Sequence, residues 1–177
     1  MNVYVDIETN VPPTKIWGAY TYDTDSGEYQ WHERADTLIP LLQKAEQIIG
    51  HNLIGFDGPI LNKLWKTRIG STKATDTLTI SRLLNPSIEG GHSLDAWGKR
   101  LGLKKTDYKR LYWRLLGVRN PKRDGVEHFN DPNLAVLKKY CKRDVELLVK
   151  LHKKLEKEFF DNEFSVRSLS LEHMVAA

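Results

Sequence analysis

The pattern that most restricts this chain is a long helical stretch running from about Leu134 to about Phe159. At 100° per residue, Leu137, Cys141, Asp144, Leu148, Leu151 and Leu155 fall on one stripe, with Tyr140 at its edge. A stripe of this kind has to be buried against a second layer. Asp144 nevertheless stands in its middle, and a buried carboxylate must be paired, hydrogen-bonded or bound to a metal. Lys142 and Arg143, its nearest basic neighbours along the helix, point elsewhere around it. The competing explanation is a carboxylate satisfied by a cap or by a distant Arg. Tyr140 precedes Asp144 by four residues, which sets its phenol one turn away, beside the carboxylate.

Two more acids stand where a core is expected. Val3 to Glu8 alternates with period two: Val3, Val5 and Ile7 face one side, and Tyr4, Asp6 and Glu8 the other. An exposed face would accommodate the acids, although Asp is a poor strand former. A strand this early in an α/β domain is usually central, however, and central strands are covered on both faces. Two carboxylates there repel, and their burial is costly unless cations neutralise them. A further acid, Asp57, closes the segment His51-Asn52-Leu53-Ile54-Gly55-Phe56-Asp57, which follows a short buried strand at Gln47 to Gly50. Asp57 lies at the entry of the next helix, where it could equally be a plain N-cap. His51, a lone histidine beside a strand end, reads as structural.

The remaining pattern is that of one domain. Lys15 to Tyr22 and Glu28 to His32 form a hairpin around Thr24-Asp25-Ser26-Gly27. Helices are expected over Ala35 to Ala45, Gly58 to Lys66, Ser93 to Leu101 and Asp107 to Leu116. Thr75-Asp76-Thr77 caps a further helix that reaches Leu84, and Asn120 to Asp131 is loop-rich. Three early strands, a helix, a fourth strand and then mostly helices predict an α/β fold: a mixed central sheet flanked by helices. No apolar run approaches the roughly 18 residues a membrane helix needs, so no membrane partner is expected. The single Cys141 excludes an intramolecular disulfide, which makes a reducing cytoplasm the default compartment.

The formal net charge is only +4, but Lys99 to Arg123 holds ten Lys and Arg against the single acid Asp107. A basic segment on an otherwise acidic chain suggests a docking surface for a polyanion. Trp97, Tyr108, Tyr112 and Trp113 are interleaved with it. They suit a groove in which bases stack, or else the cores of short helices, the latter favoured for Trp97.

Together, Val5-Asp6-Ile7-Glu8-Thr9 (D-x-E), Asn52-Leu53-Ile54-Gly55-Phe56-Asp57 (N-x₃-[FY]-D) and Tyr140-Cys141-Lys142-Arg143-Asp144 (Y-x₃-D) resemble the three motifs of the DEDD exonucleases, in their tyrosine-bearing branch. His92 to Gly102, with Asp76-Thr77-Leu78 and Ser81-Arg82-Leu83-Leu84 before it, is similar to the segment between the second and third motifs in proofreading domains of phage family A DNA polymerases. The resemblance covers roughly Asn2 to Leu155 and implies a ribonuclease H-like fold.

It also implies a 3′→5′ exonuclease that trims single-stranded DNA 3′ ends to nucleoside 5′-monophosphates. Asp6, Glu8 and Asp144 would hold one Mg²⁺ or Mn²⁺, with Asp6 bridging to a second whose outer shell is completed through waters by Asp57. All-oxygen ligands favour these hard ions over zinc. Tyr140 would orient the attacking water, and Asn52 and the backbone near Thr9 would contact the last nucleotides. The exonuclease domain is expected over residues 1–160. The tail, residues 161–177, resembles the start of a polymerase domain, so a polymerase domain or subunit is the expected partner, in bacterial host cytoplasm if the chain is phage-encoded. An exoribonuclease resembling RNase D uses the same acids; a non-catalytic DNA-binding module of a polymerase would be expected to lack one; a purely structural α/β domain leaves Asp144 unexplained.

Overall fold

Strands β1 (Asn2–Thr9), β2 (Ile16–Asp23), β3 (Tyr29–His32), β4 (Gln47–Gly50) and β5 (Ala74–Asp76) form one mixed sheet in the order β3-β2-β1-β4-β5. The computed structural model describes residues 1–161, apart from 104, 106, 116 and 118–126. β1 is central: it pairs antiparallel with β2 and parallel with β4. Its alternation sorts the two faces as the sequence predicts. Val3, Val5 and Ile7 pack with Leu38 and Leu42 of helix α1 (Ala35–Lys44), together with Ile48 of β4. Tyr4 packs on the opposite face against Val145, Leu148 and Val149 of the long helix α7 (Leu134–Asp161). Each aliphatic side chain buried this way contributes about 1.5–3 kcal/mol relative to exposure.

The stripe on α7 is buried from end to end, Asp144 included. Its outer end packs on helices α3 (Thr77–Leu84) and α4 (Leu94–Arg100), where Ile80, Leu94 and Trp97 meet Leu147, Leu151 and Leu155. The sheet and α7 thus close over Asp6 and Glu8 from both sides. No helix among the described residues is long and apolar enough to cross a membrane.

Three local expectations need correction. Thr75-Asp76-Thr77 caps the next helix as expected, but Ala74–Asp76 is also a fifth strand, parallel to β4, that was not expected. Three residues are too few to display a period, and Asp76 serves both as the last strand residue and as the N-cap of α3, accepting from Leu78 N at 2.9 Å. The helix expected over Gly58 to Lys66 is a single α-helical turn, α2 (Gly58–Ile60), between wider π-helical turns at Leu53–Asp57 and Leu61–Trp65. Within the stretch read as loop, Glu127–Asn130 forms one turn, α6, after helix α5 (Tyr108–Leu115). Apart from Asp161 at the end of α7, the expected tail lies outside the described residues.

Candidate active site

The carboxylates come from three elements. β1 supplies Asp6 and Glu8, which stay on one face because both precede the register shift between Glu8 and Thr9. α7 supplies Asp144, and the π-helical turn after β4 supplies Asp57. Glu8, Asp57 and Asp144 retain only 6%, 5% and 3% of their exposure, while Asp6 is partly open to solvent. Asp6, Asp57 and Asp144 line a cleft of about 470 Å³, whose walls also include Asn52, Phe56, Arg82 and Lys105.

Asp57 is not an N-cap: its side chain makes no cap bond, and Oδ1 instead accepts from Ile7 N at 3.1 Å. β1 outruns its pairing with β4, which ends at Tyr4↔Ile49, and the Asp57 carboxylate takes up a main-chain N–H beyond that point. The loop is held by Asp76, whose carboxylate accepts from Asn52 N at 2.9 Å and from Ile54 N at 3.0 Å. Asn52 sits there with φ of +64°, a left-handed conformation that Asn tolerates better than most residues. Sequence reasoning saw Asp76 only as a cap; its hold on the Asn52 loop is a tertiary contact with no local signal.

Burial raises all four acids. Asp6 is pushed up to about 7, first by desolvation and then by the charge of Asp144, with Lys105 and a hydrogen bond from Cys141 pulling the other way. Desolvation and then the Asp6 charge lift Glu8 and Asp57 well above the usual carboxylate range. Asp144 is raised by burial, a shift that Lys105, and after it the neighbouring Tyr140 hydroxyl, oppose. The Tyr140 phenol is itself pushed far above its ordinary value by burial and by the neighbouring carboxylates, Asp144 foremost.

Lys105 was missed. Its Nζ lies 2.5 Å from Asp144 Oδ2 and 5.1 Å from the centre of the Tyr140 ring. Lys142 and Arg143 do not pair with Asp144; the partner is distant in sequence, as in the competing explanation, but it is a lysine and arrives from the connection between α4 and α5. The pairing is incomplete, because Asp144 Oδ1 is buried with no hydrogen-bond partner among the described residues. Cys141 Sγ lies 3.4 Å from Asp6 Oδ2, and Asp6, Glu8 and Cys141 offer ligand atoms within 4.8 Å of one another.

The other expected positions divide. Asn52 lines the cleft, whereas Thr9 is buried and does not appear in its lining among the described residues. His51 also lines the cleft; its Nδ1 lies 2.9 Å from Thr77 Oγ1, and burial lowers it to about 4. Of the four aromatics interleaved with the basic segment only Trp113 is partly exposed, so it alone is left to serve a stacking groove. Trp97, Tyr108 and Tyr112 are all core residues, and the two tyrosines cluster with Leu137.

No family model matches the chain. Among curated proteins it is 29% identical to the DNA-directed DNA polymerase of Enterobacteria phage T3, over 71% of this chain and 22% of the polymerase. It is 28% identical to that of Escherichia phage T7, with the same shares covered. The chain therefore spans about a fifth of the length of these relatives. In structure it is similar to the family B DNA polymerase of the archaeon Pyrobaculum calidifontis, with a TM-score of 0.67, 21% identity and coverage of 99% of this chain and 27% of that one. It is also similar to Exonuclease X in complex with 5′ overhanging duplex DNA, with a TM-score of 0.50, 14% identity and coverage of 98% and 99%. The resemblance to phage DNA polymerases drawn from the motifs is thus found again over 71% of this chain, and the fold is ribonuclease H-like.

Proposed function

We propose that this chain is a divalent-metal-dependent 3′→5′ exonuclease of the proofreading type, releasing nucleoside 5′-monophosphates from single-stranded DNA ends. The observation that carries the proposal is the convergence of Asp6, Asp57 and Asp144 on one cleft, with Glu8 buried beside Asp6 and with Lys105 as the only cation paired to any of the four among the described residues. Acids this buried and this close are costly unless cations offset them. The buried, unpartnered Asp144 Oδ1 and the all-oxygen character of the four acids fit Mg²⁺ or Mn²⁺.

Asp6, Glu8 and Asp144 would hold one ion, and Asp6 would share a second with Asp57 acting through water. Such ions, when bound, supply an activated water at neutral pH and stabilise the leaving 3′ oxygen. The protein does the rest. Tyr140, its phenol protonated at any physiological pH and set beside Asp144, orients the attacking water instead of acting as a base. Asn52, fixed by Asp76, faces the end of the strand in the cleft. Thr9 contributes through its backbone, at the bulge that follows Glu8. The scissile phosphate has to reach carboxylates that are mostly buried, which suits a single strand better than a duplex. A polymerase, on the same chain or another, is the partner in this proposal.

The test is digestion of 3′-labelled single-stranded DNA with Mg²⁺, beside a matched RNA and beside Asp6→Ala. Metal-dependent release of 5′-monophosphates from DNA, lost in Asp6→Ala, is expected. Release that persists in excess EDTA would overturn the metal assignment. Preference for RNA would turn the proposal towards an exoribonuclease, and tight DNA binding with no release towards a non-catalytic module.

A further inference from the structure

Lys105 has no part in the chemistry just described, yet it occupies the most consequential position in the cleft. Its ammonium sits within hydrogen-bonding distance of Asp144 Oδ2, on a side chain that keeps only 20% of its exposure. Asp6, Glu8 and Asp57 form no ion pair among the described residues, so this one cation bears the charge of the whole group.

We propose that Lys105 is a resident counter-ion that competes with the divalent metal for Asp144 and so sets how much metal the site demands. The inference rests on the metal-binding role given to these acids above. Its physical basis is that a divalent ion and an ammonium on one carboxylate repel across a few ångströms of partly desolvated protein. Metal entry therefore has to move Lys105 off Oδ2, or take the free Oδ1 and bear that repulsion. The face of the Tyr140 ring, 5.1 Å from Nζ, offers the displaced ammonium a place to rest. In the metal-free protein the same contact limits the mutual repulsion of the acids, so the residue both protects the apo fold and raises the metal requirement.

The experiment is calorimetric titration of MnCl₂ into the full chain as wild type, Lys105→Met and Lys105→Arg, at one pH and one ionic strength. Methionine keeps the apolar stem and removes the charge. It should tighten Mn²⁺ binding by about tenfold or more, the scale of a charge pair shielded from solvent. Arginine keeps the charge and should bind Mn²⁺ as weakly as wild type. Unchanged or weaker binding by Lys105→Met overturns the proposal. Should that variant fail to fold, acylation of wild-type Lys105 by an amine reagent, read by mass spectrometry, decides the matter: Mn²⁺ should accelerate labelling, and an unchanged or slower rate overturns it. Wild type that binds no Mn²⁺ sinks the metal site itself and this inference with it. Wild type that binds Mn²⁺ beside an unimproved Lys105→Met sinks only the inference.

Discussion

The two faces of β1 are built from alternate residues of one strand and solve opposite problems. Val3, Val5 and Ile7 meet α1 across an apolar interface with nothing to satisfy but shape. Asp6 and Glu8, on the face beneath α7, meet Asp144, Cys141 and the charge of Lys105. The first face stabilises the fold; the second costs it stability, since desolvation and like charge raise every carboxylate there. A strand with side chains alternating every residue lets both lie within a few ångströms, each insulated from the other by the backbone. The contrast teaches that the chemistry is carried by the face that the fold would be more stable without.

The largest separation of the faces is expected from Asp6→Ala and Asp144→Ala. Each should lower nuclease turnover by about 10³-fold or more, the loss of several kcal/mol of charge stabilisation. In EDTA Asp6→Ala should melt at or above the wild-type temperature, because a repelling charge has gone, whereas Asp144→Ala also leaves the Lys105 ammonium without its partner and should melt lower than Asp6→Ala. A clear fall in melting temperature for Asp6→Ala would break the comparison. Leu38→Ala, on the apolar side, should do the reverse, costing about 2–5 kcal/mol in denaturant unfolding while turnover per folded molecule is unchanged. Tyr140→Phe should reduce turnover by about 10–100-fold, the value of a hydrogen bond to a charged group, with DNA affinity nearly unaltered. Equal turnover in Tyr140→Phe would remove its place in the mechanism.

The last effect, read on stability alone, is a pH dependence in metal-free protein. Burial raises Asp6 from 3.8 to about 7. An acid whose pKa is higher folded than unfolded stabilises the fold at low pH, and that contribution is lost as pH rises through this window. Wild type should therefore lose stability relative to Asp6→Asn between pH 4 and pH 7, by up to about 1.4 kcal/mol per pH unit, as read by denaturant unfolding in EDTA. A difference that stays flat or narrows with pH would mean that Asp6 is ionised throughout. Excess Mg²⁺ should abolish the trend.

What the sequence determined by itself follows from its periods. A two-residue alternation places Val5 and Asp6 on opposite faces whatever surrounds them, and a 3.6-residue period puts Asp144 in the buried stripe of α7. The mixed sheet with a central first strand was legible for the same reason. Only the tertiary structure decided what meets those residues. The fifth strand, Ala74–Asp76, exists because β4 offers it an edge. Asp57 finds the Ile7 N–H, and Asp76 finds those of Asn52 and Ile54, across loops with no recurring pattern. Of all the cations in the basic segment, Lys105 reaches Asp144 because α4 and α5 pack where they do. A period is a property of neighbouring residues, whereas a charge pair between distant segments depends on every contact that orients them.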